Sequence, residues 1–230
     1  MFWEHYLSSS RPLQQYGIST MESIQDAIKS LNSAWPPIRN ECLSVLGSEL
    51  HYQAMIYHCL RTAGKVPVSQ IGMNVKMWVE NPVSDLFKKL VEKKHKDFQG
   101  GFEPIPDVVV FKPVISGDWR RRNNEATLFN MLLAIEVKAS ERSNSRLQPA
   151  EIMLDIKKLA AHQEEVIARG ADVVPVMLVI DSALEARERM TDNALSKSLA
   201  LANSLGVAFM YISQNKEINT LKNTNNVLNI

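Results

Sequence analysis

Three stretches in the second half of the chain, LLAIEVKAS (132–140), VVPVMLVID (173–181) and GVAFMYIS (206–213), are apolar almost without interruption. A strand with one wet face alternates polar and apolar residues, so an unbroken run marks a strand covered on both faces. The segments between them, Ala150 to Arg169 (ended by Gly170) and Arg187 to Ser204, carry helical periodicity. Strands of this kind alternating with helices predict an α/β fold, with a mixed central β-sheet flanked by helices.

The first half is less regular. TMESIQDAIKSLNSAW reads as a short amphipathic helix, capped by Ser19 or Thr20 and ended by Trp35-Pro36-Pro37. A long helix is predicted from Asn40 to Thr62, with Cys42, Leu46, Glu49, Gln53, Ile56 and Leu60 along one face. NVKMWVE (74–80) reads as a strand, PVSDLFKKLVEKKHK as a helix, and IPDVVVF (105–111) as the next strand. The polar connection KPVISGDWRRRNNEAT then makes a hairpin with a basic tip. The expected organisation is a helical appendage over 1–38, a main domain over 39–214 and a polar, Asn-rich tail over 215–230.

With 230 residues, 45% of them hydrophobic, the chain can bury a full core. No apolar run reaches the length of a membrane span, and the N-terminus lacks the pattern of a secretory signal, so a cytoplasmic protein is expected. Cys42 and Cys59 fall within one predicted helix, which excludes a disulfide between them and leaves two buried thiols. His5, His51, His58, His95 and His162 show no zinc-ligand spacing, and no Gly-rich phosphate loop or GxSxG motif occurs. A net charge of +1 argues against a general nucleic-acid coat protein, though not against an enzyme whose positive charge is gathered on one face.

The chemistry is concentrated in two of the strands. Glu136 and Lys138 are two apart in LLAIEVKAS and project to the same face. A carboxylate and an ammonium in an apolar strand carry a desolvation cost for which packing has no need. Asp107, at the start of the neighbouring strand, would add a second carboxylate. Acidic groups at one site repel one another, and a dication relieves the repulsion. Such a constellation suits a hard divalent cation and a scissile phosphate.

Pro106-Asp107 in one strand, Glu136-Val137-Lys138 in the next and a helical Glu49 upstream resemble the PD-(D/E)xK nuclease superfamily, the restriction-endonuclease-like fold. The resemblance covers roughly residues 40–181, with an extra helix near 83–96 inserted between the first two strands of the αβββαβ core. It implies that Asp107 and Glu136 are metal ligands, with the Val137 carbonyl completing the shell and Glu49 adding a direct or water-mediated contact. Lys138 would position the attacking water and stabilise charge on the phosphate. Lys158 and Gln163, on the following helix, would contact phosphate. Magnesium or manganese is the implied cofactor, and a homodimer the implied assembly.

Two basic clusters are placed to hold nucleic acid: Trp119, Arg120, Arg121 and Arg122 at the hairpin tip, and Arg142 and Arg146 in the loop after the ExK strand. The lysines of 88–96 read as a solvated helix face. The leading expectation is a magnesium-dependent endonuclease acting on DNA in restriction, defence or repair, with a protein partner from such a system as a further expectation. The rival is a non-cleaving module that binds nucleic acid or docks a partner. Nothing in the residues separates DNA from RNA.

Overall fold

The structure is a computed structural model that describes residues 20–93, 101–118 and 125–221. In chain order its elements begin with α1 (Ile24–Ser44), α2 (Glu49–Thr62), β1 (Ile71–Met73), β2 (Val79–Glu80), α3 (Asp85–Glu92), β3 (Gly101–Phe102) and β4 (Val108–Phe111). They continue with α4 (Glu125–Phe129), β5 (Met131–Ala139), α5 (Pro149–Ala168), β6 (Val174–Asp181), α6 (Asp192–Ser204), β7 (Ala208–Ser213) and β8 (Glu217–Asn219). Six strands form one mixed sheet in the order β1-β4-β5-β6-β7-β8, and β2 and β3 make a separate two-stranded ribbon. The pairs β5–β6 and β6–β7 are parallel, and the outer pairs are antiparallel.

The apolar runs behave as their lack of alternation requires. Leu133, Ile135 and Val137 of β5 pack into a core with Leu31, Ile38, Ile56 and Leu60 of α1 and α2. On the other face, Ala134 of β5 and Met177 and Val179 of β6 meet Ile152, Ile156 and Leu159 of α5. No helix among the described residues is long and apolar enough to cross a membrane.

Several boundaries differ from the sequence reading. α1 does not stop at Trp35-Pro36-Pro37 but runs through both prolines. Two intrahelical N–H donors are lost there, yet Trp35, Ile38 and Cys42 lie on the same buried stripe, and their packing holds the helix together. Position 38 is therefore inside a helix whose apolar side belongs to the main core. The chain breaks instead at Val45–Ser48, where the Tyr52 hydroxyl accepts from the Gly47 N–H and donates to the Val45 carbonyl. Ser48 caps the new helix by accepting from the His51 N–H.

Cys42 and Cys59 consequently sit on two different helices, not one, and both are buried free thiols that desolvation pushes up to about 12. Of the strand expected over 74–80 only Val79–Glu80 is one, as β2 of the separate ribbon; β1 ends before it at Met73, and Asn74 turns the chain with a φ of 50°. Part of the expected polar tail is in the sheet, because Glu217 of β8 accepts from Trp35 Nε1 and pairs with Arg39 at 3.0 Å.

Candidate active site

β5 carries Glu136 and Lys138 toward the α5 side of the sheet, since Ile135 and Val137 are committed to the core under α1 and α2. Asp107 immediately precedes β4. The first β4–β5 pair joins Val108 to Ile135, so Val137 and its N–H lie beyond the end of the ladder. The Asp107 carboxylate accepts that N–H at 2.7 Å and continues the ladder with a side chain. Glu49 enters from the first turn of α2 rather than from mid-helix, and its own N–H donates to Glu141.

Lys138 is the hub. Its ammonium donates to both Glu49 oxygens at 3.2 Å, lies 3.2 Å from Asp155 Oδ2 and 3.9 Å from Glu136 Oε1, and reaches the Val137 carbonyl at 3.3 Å. Asp155 has no counterpart in the sequence reading. It lies on the buried face of α5 and bridges Lys138 to Lys158, whose ammonium is 2.7 Å from Asp155 Oδ1. An Asp three residues before a Lys reads in sequence as an ordinary surface helix pair. The one available signal is the position of Asp155 among Ile152, Ile156 and Leu159 on the apolar stripe.

Electrostatics follow from packing carboxylates together out of water. Burial, reinforced by the charges of Asp107 and Asp155, raises Glu136 to about 8. Burial also raises Asp107 to about 6, against the opposing pull of the Val137 N–H. Glu49 is raised by burial, an effect partly offset by Lys138. Burial disfavours the Lys138 ammonium, but Asp155, Glu49 and Glu136 outweigh it and hold the group above the ordinary lysine value. Glu49, Asp107, Glu136 and Asp155 outnumber Lys138 and Lys158, the two lysines beside them.

The remaining expected residues separate into three groups. Arg142 and Arg146 do lie at the site: with Glu49, Lys138 and Ser140 they line a cleft of about 60 Å³. Lys158 joins it through Asp155, but Gln163 does not. Five residues further on, it lies about 140° around the helix, and its amide donates to the Val173 carbonyl at 3.1 Å. That contact is at the start of β6, and the next residue, Val174, pairs with Leu133, whereas Lys138 pairs with Val179. Gln163 braces the turn after α5, at the opposite end of the sheet. Trp119, Arg120, Arg121 and Arg122 lie outside the described residues.

Asp107, Glu136, Glu49, Asp155 and the Val137 carbonyl form an all-oxygen donor set, which suits magnesium or manganese better than zinc. Among the described residues, no three His, Cys, Asp or Glu side chains are arranged to hold a metal ion as they stand. The Lys138 ammonium is instead the positive charge within reach of Glu49 and Asp155. The donor chemistry fits the ion, provided that the lysine yields part of its carboxylate shell. No protein-family model, curated protein or solved structure matches the chain.

Proposed function

We propose that the protein is a metal-dependent endonuclease that hydrolyses phosphodiester bonds in DNA, built on a restriction-endonuclease-like core. The observation that carries this reading is the convergence of Glu49, Asp107, Glu136 and Asp155, from four separate segments, around Lys138. The succession α2, β1, β4, β5, α5, β6 supports it, with β2, α3 and β3 inserted before β4 and the short α4 between β4 and β5. Magnesium or manganese, held by Asp107, Glu136 and the Val137 carbonyl with Glu49 beside them, would supply charge neutralisation and an activated water. Lys138 holds a proton donor against the reacting phosphate oxygens, and Asp155 fixes where that ammonium points. Arg142 and Arg146 take the flanking phosphates. A role in restriction, defence or repair in the cytoplasm, as a homodimer or with a protein partner, belongs to the same proposal.

The test is nicking of supercoiled plasmid with magnesium, manganese or chelator, comparing the natural protein with Lys138→Ala. Metal-dependent nicking that falls by roughly 10²–10³ in the variant is the expected result. Absence of cleavage on plasmid, single-stranded DNA and RNA alike, together with no calorimetric metal binding, overturns it. The second reading, a non-cleaving nucleic-acid or partner-binding module, is favoured by the engagement of Lys138 with the carboxylates that a metal would need. DNA binding that is indifferent to metal distinguishes it.

A further inference from the structure

A second cavity, of about 250 Å³, opens beside Glu136. Its walls are apolar and stiff: Phe87 of α3, Leu159 of α5, and Ile105 set between Pro104 and Pro106. Glu136 and Lys158 border it, and Pro106 leads directly into Asp107, so the cavity is continuous with the acidic cluster.

Glu103 and His162 complete the lining, and the His162 ring lies 6.4 Å from that of Phe87 and inclined to it by 52°. His162 is 3% exposed, and its Nε2 has no hydrogen-bond partner among the described residues. Burying an imidazole nitrogen without a partner carries a desolvation cost that a leucine there would not incur. Burial, against the opposing charge of Glu165, lowers its ionisation to about 4, so the ring is neutral under ordinary conditions and its nitrogens are one donor and one acceptor. Flat apolar walls, a neutral polar edge and an adjoining phosphate site match the chemistry of a heterocyclic base.

We propose that this cavity receives one unstacked nucleobase of the bound strand, gripped between Phe87, Leu159 and the 104–106 segment and read at its edge by His162. The inference rests on the nuclease reading, because the phosphate of that nucleotide is taken to lie at Lys138 and Lys158. Extruding a base costs unstacking energy, which is least where the base is unpaired or mismatched. The site would therefore direct the enzyme to frayed, mismatched or single-stranded positions.

The probe is DNA carrying 2-aminopurine, either single-stranded or in a duplex at a mismatch, whose emission rises when the base leaves its stack. Titrations are done in chelator, so that no cleavage occurs, with fluorescence anisotropy reporting binding separately. The natural protein is expected to raise emission several-fold. Ile105→Trp, at a position 40% exposed at the edge of the cavity, is expected to abolish the rise while circular dichroism stays unchanged and anisotropy shows binding weakened but retained. His162→Leu, which keeps the volume but removes the polar edge, is expected to weaken it.

Emission that rises equally with Ile105→Trp places the unstacked base elsewhere and overturns the proposal. Binding or plasmid nicking with no rise in the natural protein overturns the subsite and leaves the nuclease reading intact. A rise that Ile105→Trp removes, without any metal-dependent cleavage, supports the subsite and refutes the nuclease reading. Failure to bind any of these strands, together with no metal-dependent nicking of plasmid, overturns both.

Discussion

Glu136 retains its proton to about pH 8 in the folded protein, whereas an unburied glutamate releases it near 4.5. Between those values the folded chain holds more protons than the unfolded one, so this group makes stability fall as pH rises. Metal-free protein should therefore lose thermal stability across that window, and Glu136→Gln should flatten the slope, with the variant gaining on the natural protein as pH increases. Melting temperatures of both proteins in chelator, from pH 5 to about 8, test this; parallel curves would refute it. Asp155→Asn addresses the neighbouring role. It removes a charge from Lys138 and Lys158 while preserving shape, so the expected effect is a kcat loss of about 10–10² with little change in KM. A lysine relieved of Asp155 should also shift the pH profile of the remaining activity, which simple misfolding would not do. Glu136, Lys138 and Asp107 were legible from strand spacing because a strand dictates facing directly. Asp155 was not, since a helix offers several polar positions and only the docking of α5 on β5 turns one of them inward. Gln163 failed for the same reason: helical sequence shows proximity to Lys158 along the chain but not the rotation that separates them.

At the scale of elements, α1 and the connection to α3 show what local propensity misses. Pro36 is exposed and forfeits a helical hydrogen bond, whereas Trp35 beside it is buried. Pro36→Ala should accordingly stabilise the protein, by about 1–3 kcal/mol, and Trp35→Ala should destabilise it by about 3–5 kcal/mol. Urea unfolding measures both; a destabilising Pro36→Ala would mean that the ring itself is needed to shape the helix. α3 is tied to α5 by Glu165, which is fully buried. One of its oxygens accepts the N–H groups of Val83 and Ser84 at 2.9 Å each, and the other pairs with Arg169 at 2.8 Å. Glu165→Ala leaves two amides without their acceptor and Arg169 without its carboxylate, though still bonded to the Glu165 and Glu80 carbonyls, and a loss of about 3 kcal/mol is expected from the same unfolding experiment. The long strands and α5 could be read from sequence because burial on both faces leaves an unbroken apolar signature. The short β1 and the break before α2 could not, because each depends on one residue satisfying a distant partner: Asn74 turning toward the Asp107 carbonyl, and Tyr52 bonding the 45–47 backbone.

For the whole molecule, the arrangement of strands decides where charge is useful. β5, β6 and β7 run parallel, so Lys138, Val179 and Tyr211 stand in one row, and the loop bearing Arg142 and Arg146 leaves from the same edge. Open α/β sheets bind ligands at the carboxyl ends of their parallel strands. A net charge of +1 provides no general attraction for a polyanion, so the proposed function requires that affinity for DNA come from a few arginines and lysines at that edge. The salt dependence of binding then counts them. Each phosphate contact contributes about 0.9 to the slope of log K against log salt, so Arg142→Ala and Arg146→Ala should each lower the slope by about one, uniformly across DNA sequences. Lys88→Ala, which removes an exposed amine paired with Asp85 on α3, should leave it unchanged. Anisotropy titrations at several salt concentrations in chelator make the comparison without cleavage. If the slope were steep in the natural protein and indifferent to both arginines, the DNA would lie on another face, and the acidic cluster would have to be explained without a phosphate beside it.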